Sequence, residues 1–186
     1  MAPTIETARL TLRGHRADDL AACAAMWRDP EITRYIGGKP PSEQEVWFKL
    51  LRYAGLWALM GFGYWAIEEK ATGEYVGELG FADFMRDIEP SIRGVPELGW
   101  VLASRVHGKG YATEAVAAAV AWGDAHLTSS KTVCIISPGN VQSIRVAVKC
   151  GYEEWQRTMY YGEPTILFER QKNGAPSTKE PRSPQG

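Results

Sequence analysis

The chain is poor in the features that would tie it to a metal, a disulfide framework or a membrane. Its three cysteines, Cys23, Cys134 and Cys150, are odd in number and form no C-x-x-C pair, so no disulfide scaffold, zinc site or other metal is expected. They read as small core residues in a reducing compartment. No sign of charge dominates: a formal net charge of -1 leaves no basic field to gather a phosphate backbone, which argues against nucleic acid as a partner. Long apolar runs are missing too. The longest, Leu56 to Ile67, is broken by Gly61 and Gly63, and Met1 to Leu10 lacks the apolar stretch of a secretory signal. A cytoplasmic protein with no membrane partner is the expectation.

What is present suits one globular domain. With 45% hydrophobic and 23% charged residues, 186 residues can bury one substantial core but not two. Ile5, Leu10 and Leu12 alternate with Thr11 and Arg13, which predicts a first strand ending at Gly14. Asp18 to Trp27 has helical spacing, Pro30 interrupts it, and Glu31 to Ile36 follows as a short turn before the breakers Gly37 to Pro41. Ser42 and Glu45 form a capping box for a helix to Met60, so two helices are expected after one strand. Gly63 to Glu68 and Tyr75 to Phe84 predict a hairpin, Asp87 to Pro96 a polar loop, and Glu97 to Leu102 another strand. In the helical run Tyr111 to His126, the positions Ala112, Val116, Ala119, Val120 and Gly123 give a face of little bulk that can lie close to a sheet. Val133 to Ile136, Val141 to Cys150, Glu154 to Tyr161 and Thr165 to Arg170 follow as strand, helix, strand and strand. One domain over residues 1–172 is expected, and the Pro, Ser, Gly and charge of 173–186 predict a disordered tail.

Two segments carry chemistry. In the first, the strand Glu97 to Leu102 feeds the loop Arg105 to Gly110 and then a helix start, where free amides and the positive end of the helix dipole make an anion site. Gly108 and Gly110 permit positive φ and close approach of backbone to phosphate, and Arg105 and Lys109 can add charge. Two glycines can equally serve only to turn the chain. The loop is no dinucleotide fingerprint, because the third glycine of G-x-G-x-x-G would fall at Thr113, and no G-K-[ST] of a P-loop is present. The second segment runs from Ile136 to Tyr152, with Asn140 just before a helix and Ser143 in its first turn. Read alone, Asn140 is an N-cap.

Taken together and in this order, the two segments resemble the GCN5-related N-acetyltransferase superfamily, and within it the branch typified by the ribosomal-protein N-terminal acetyltransferases. Arg105-x-x-Gly108-x-Gly110-x-Ala112 is similar to the family's pyrophosphate-binding motif. Asn140-x-x-Ser143-x-x-Val146-x-x-Lys149-x-Gly151-Tyr152 is similar to its second motif, and Thr7-Ala8-Arg9-Leu10-x-Leu12-Arg13 to the opening of that branch. The resemblance implies an α/β (α+β) fold, a mixed and mostly antiparallel sheet of six or seven strands with helices on both sides. It also implies acetyl-CoA as donor, entering where the strands Glu97 to Leu102 and Val133 to Ile136 splay apart. The pantetheine amides would pair with the backbone of Trp100, Val101 and Leu102. The pyrophosphate would sit on Val106, His107, Gly108, Lys109, Gly110 and Tyr111 beside Arg105 and Ala112. Asn140 would hold the pantetheine arm or a bound water, and Ser143 would meet the cofactor near its thiolate.

Attack of an amine on a thioester requires a neutral amine, a stabilised oxyanion and a protonated leaving thiolate. The resemblance gives the oxyanion to the amide of Val101 or Leu102 and makes Ser143 the candidate general acid. Glu97 is the first candidate base, although its position suits a plain strand-edge carboxylate equally well. Glu163 and His107 are weaker candidates, and Tyr152 is set aside as the start of a buried strand. Tyr35, Trp57, Trp65 and Trp100 either wall the acceptor site or fill the core. Asp87, Glu89 and Glu97 against Arg93 give a mild acidic excess that suits a cationic acceptor, or simply a solvated loop. The expected activity is N-acetyl transfer to a primary amine, on a protein N-terminus or a small molecule, by a monomer or homodimer. The alternative is a catalytically silent acyl-CoA sensor.

Overall fold

The computed structural model describes residues 1–172, so the tail expected over 173–186 lies outside the described residues. Strands β1 (Ile5–Glu6), β2 (Leu10–Arg13), β3 (Tyr64–Glu69), β4 (Tyr75–Ala82), β5 (Glu97–Leu102), β6 (Lys131–Ile136), β7 (Glu153–Tyr160) and β8 (Glu163–Gln171) form one sheet. Their order is β1-β2-β3-β4-β5-β6-β8-β7. Every neighbouring pair is antiparallel except β5 and β6. The count is eight because the opening segment, expected as one strand, folds back on itself: Thr7 donates to the Leu10 carbonyl, and Ile5 pairs with Leu12.

Helices α1 (Leu20–Trp27), α2 (Pro30–Thr33) and α3 (Glu43–Met60) cover one face of the sheet, while α4 (Tyr111–His126) packs on the other and α5 (Val141–Lys149) lies against α4. The expected capping box starts α3: the Ser42 hydroxyl accepts from the Glu45 amide, and Glu45 accepts from the Ser42 amide. Pro30 opens α2 instead of only ending α1, because Asp29 caps the Glu31 amide and proline suits a first helical position. Three helices therefore follow the opening strands where two were expected.

The small face of α4 lies on the sheet, with Val116, Ala119, Val120 and Gly123 buried as the spacing predicts; Ala115 is buried with them, whereas Ala112 is only half-buried. Along β5, Leu98, Trp100 and Leu102 join that core, and Val101 joins the core under α1 and α3. Glu97 shares the Val101 face by the two-residue alternation of a strand. The segment Asp87 to Pro96 is not wholly polar. Ile88 and Ile92 are buried against Val133 and Leu167, which pins this loop over the junction of β5 and β6. No helix among the described residues is long and apolar enough to cross a membrane.

Candidate active site

The feature that opens the sheet is the single register point between β5 and β6, Glu97 opposite Val133. Beyond it the two strands leave each other, and β5 ends above a glycine loop. That loop begins as a 3-10 turn at Ser104–Val106 and ends at Gly110, the residue before the sixteen-residue helix α4. Gly108 and Gly110 hold φ of +78° and +80°, the left-handed region that a side chain disfavours. Free amides at the start of α4 and a fork in the sheet therefore lie in sequence, one after the other. That arrangement can hold an anion at one end and an extended arm at the other.

The charges around the loop are arranged differently from the expectation. Arg105 turns toward the β3–β4 hairpin, donating to the Tyr75 carbonyl at 2.7 Å and to Glu74 at 3.2 Å. The Lys109 ammonium lies 3.7 Å from Glu69, and the His107 ring folds back to the Leu102 carbonyl at 2.9 Å. Arg9 is the cation that shapes the loop. It donates to the Lys109 carbonyl at 2.8 Å and to Glu114 of α4 at 2.7 Å, while Thr7 donates to Glu114 at 2.6 Å. These contacts tie the opening Thr7-x-Arg9 to the loop and to the first turn of α4. The Glu114 carboxyl is raised by partial burial, but the Thr7 and Arg9 bonds outweigh this and hold it below its ordinary value.

Asn140 caps α5, its side-chain oxygen accepting from the Ser143 amide at 3.1 Å. The Ser143 hydroxyl is half-buried and makes no hydrogen bond within the described residues. Tyr152 is buried, with its hydroxyl on Thr132 at 2.8 Å, as a strand-start aromatic should be.

Glu97 sits at the crotch of the fork, 4% exposed, with both oxygens engaged. Arg86 reaches them at 2.6 and 2.8 Å and also donates to the Tyr160 hydroxyl at 3.0 Å. Arg86 lies one residue outside the stretch counted for acidic excess, and with it Glu97 is neutralised. Asp83 accepts from the Gly94 amide and Asp87 lies 3.9 Å from Arg93, so the expected excess does not reach the fork. Of the four aromatics, Trp57 and Trp65 are core, stacked edge-on with each other and with Trp122. Trp100 packs against the α4 core, and Glu163 is exposed.

A buried polar hub beneath α3 is not among the candidates read from the sequence. Glu78 is fully buried and accepts from Tyr53 at 2.7 Å, Tyr75 at 3.1 Å and the Cys23 thiol at 3.4 Å, with the Lys49 ammonium 3.5 Å away. Burial pushes its carboxyl up, but Lys49, His15 and the hydrogen bonds win and hold it below the carboxylate range. Cys23 is thus a donor as well as a core thiol. Alternation of apolar residues in β4 would have placed Glu78 on a buried face, and the lysine one turn from Tyr53 on α3 was the only available hint of its partner.

The acetyltransferase (GNAT) domain model matches residues 9–153, a span holding the loop, the fork and α5. The chain belongs to the GNAT acetyltransferase family. Among its relatives, the Bacillus subtilis protein YkkB is 31% identical over 168 residues, covering 88% of this chain and 93% of that one. A GNAT-family structure from Bordetella pertussis superposes with a TM-score of 0.81 at 27% identity, covering 91% of this chain and 99% of that one. The aminoglycoside acetyltransferase AAC(6')-Ib, solved with paromomycin and acetyl-CoA, superposes at 0.72 with 22% identity, covering 88% and 93%. At that identity the likeness is one of GNAT fold.

Proposed function

We propose that this acetyltransferase moves the acetyl group of acetyl-CoA onto a primary amine by direct attack inside the β5–β6 fork. The observation that carries the reading is the fork itself, with its single Glu97–Val133 register point opening onto a loop with two left-handed glycines. The pyrophosphate belongs on the amides of Gly108, Gly110 and Tyr111 at the positive end of α4, beside Arg105, Lys109 and Ala112; the amides of Val106, His107 and Lys109, expected to share it, donate instead to the carbonyls of Ala103, Ser104 and Val106. The pantetheine arm runs along Trp100 to Leu102, where β5 has left β6.

The amine nitrogen bonds to the thioester carbon, the carbon–sulfur bond breaks, and the electron pair leaves on sulfur. The Leu102 amide stabilises the carbonyl oxygen as it gains charge; the Val101 amide, the other candidate, points to β4 by alternation with Ala103, which donates to Val76. Ser143, whose hydroxyl has no partner among the described residues, steadies or protonates the leaving thiolate. Asn140 keeps its amide group for the pantetheine arm while its oxygen caps α5. Glu97 takes the amine proton through one water: Arg86 uses one lone pair on each carboxylate oxygen and leaves others for that water.

The deciding experiment incubates the protein and acetyl-CoA with an amine library, following free thiol and the mass gain of each amine. Amine-dependent thiol release with one acetyl group added supports the reading. Tight acetyl-CoA binding with no amine acetylated would instead establish a silent sensor.

A further inference from the structure

A second cavity lies on the face of the sheet that carries Glu97. It measures about 470 Å³, is bounded by Trp27 at the end of α1, by the α2–α3 connection and by α3, and is lined by Lys39, Glu45, Phe48, Lys49 and Arg52 among others. Three cations face one carboxylate there. Glu45 is already committed to the Ser42 amide and hydroxyl, and Lys49 to Glu78 and the Trp27 ring. Lys39 and Arg52 form no ion pair among the described residues, and both are exposed. Trp27 is 4% exposed and lines the cavity floor with the Lys49 ammonium over its ring. Lys39 and Arg52 are thus the cavity's unpaired cations among the described residues, and their charge suits an anion.

The cavity adjoins the fork by two routes. Tyr35 lies against Gly139, just before Asn140 and Ser143, and the next residue, Ile36, lines the cavity. On the other side, Arg52 and Arg86 flank the Phe84 ring at 5.6 and 4.8 Å from its centre, and Arg86 holds Glu97 at the crotch of the fork. Resting on the acetyl-transfer reading above, we propose that this cavity binds an acidic side chain of the acceptor, so that the favoured acceptor is a peptide N-terminus with a carboxylate a few residues in. Through the Phe84 ring, Arg52 and Arg86 lie no more than about 10 Å apart, which an extended chain at about 3.3–3.6 Å per residue spans in three residues. A free amino acid, whose amine and carboxylate share one carbon, cannot occupy both. A polycationic amine meets Lys39 and Arg52 and is repelled.

The test measures binding, so that it does not depend on turnover. Calorimetry on the coenzyme A-loaded protein compares the peptides Ala-Ala-Glu-Glu and Ala-Ala-Lys-Lys, both C-terminally amidated, with free glutamate. The acidic peptide should bind at least about 10-fold tighter than the basic one at low salt, with the margin shrinking as salt rises. Arg52→Glu together with Lys39→Glu, both exposed and so compatible with folding, should reverse the order. Equal affinity, or an order unchanged by those substitutions, overturns the anion site, and glutamate binding as well as the acidic peptide overturns the peptide assignment. Acidic-peptide binding without acetyl transfer would leave this site standing and remove the proposed reaction, whereas acetyl transfer with no acidic preference would do the converse.

Discussion

The two halves of the proposed site are built in different ways. On the donor side, Trp100 to Ala112 supplies strand end, loop and helix start in one uninterrupted stretch, and α5 adds Asn140 and Ser143. On the acceptor side, Glu97, Arg86, Tyr160, Phe84, Arg52 and Tyr35 come from separate strands, helices and loops and meet only in the fold. A pyrophosphate can be held by consecutive backbone amides, whose placement is a local matter of φ and helix start. Choosing an amine requires side chains that converge from several directions. The donor side can therefore be damaged at one residue without disturbing the acceptor side, and the reverse should cost stability as well as activity.

The largest expected effect tests the donor side. Gly110→Val places a β-branched residue at φ +80° on the surface meant for phosphate, and the affinity for acetyl-CoA should fall by about 10³-fold. Calorimetry on a variant that still melts cooperatively checks this, and unchanged affinity removes the cradle. Next comes Arg86→Ala on the acceptor side, which strands the buried Glu97 carboxylate. Breaking such a pair costs about 3 kcal/mol of stability, readable in denaturant melts. The double variant Arg86→Leu, Glu97→Leu should recover most of that stability but not the activity. If Arg86→Ala is as stable as the parent, the acceptor side is less interdependent than its hydrogen bonds indicate.

Ser143→Ala should lower turnover by about 10²-fold and leave acetyl-CoA affinity nearly intact, the scale of acid catalysis. Lost stability with normal turnover would assign Ser143 to the helix cap alone. Glu97→Gln should cost about 10-fold near pH 6 to 7 and recover as pH rises, because more of the acceptor amine is then neutral. A loss equal at every pH would make Glu97 a holder of Arg86 and nothing more.

The smallest effect concerns His15, which packs on Tyr53 beside the Glu78 hub with neither ring nitrogen hydrogen-bonded. Burial lowers its pKa, against the pull of Glu78 and Asp19, with Arg13 and Lys49 acting in the same direction as burial. The folded chain thus binds fewer protons than the unfolded one once pH drops below about 6.5, the ordinary histidine value. Stability is full above that pH and declines below it. His15→Phe should flatten the slope of stability between pH 5 and 7, by less than about 1.4 kcal/mol per pH unit, while acetyl-CoA affinity keeps its pH profile. An unchanged slope would mean that the core beneath α3 is not pH-sensitive at His15.

Much of this was legible beforehand, and what was legible was local. The α4 run from Tyr111 to His126 matches the observed helix at both ends, since its spacing, its glycine before the first turn and its small buried face agree with one another. The capping box at Ser42 and the positive φ at Gly108 and Gly110 were equally readable, because a cap or a turn depends on three or four neighbours. The fold-back at Thr7 was missed, because nothing near it marks a turn and its bonds reach Glu114, 107 residues away. Ile88 and Ile92 read as part of a polar loop because two apolar residues among charges show no periodicity. Their partner surface comes from β6 and β8.

The sequence by itself determined the donor side: a strand, a glycine loop, a helix start and the Asn140–Ser143 turn, each dictated by residues in contact along the chain. Only the tertiary structure decided what those residues face. It brought Arg86 onto Glu97, turned Arg105 to the hairpin, gave the loop Arg9 instead, and buried Glu78 among Tyr53, Tyr75, Cys23 and Lys49. The reason is physical. Backbone conformation is set over a few residues, whereas the partner of a charged side chain is whichever opposite charge the packed sheet and helices bring within reach.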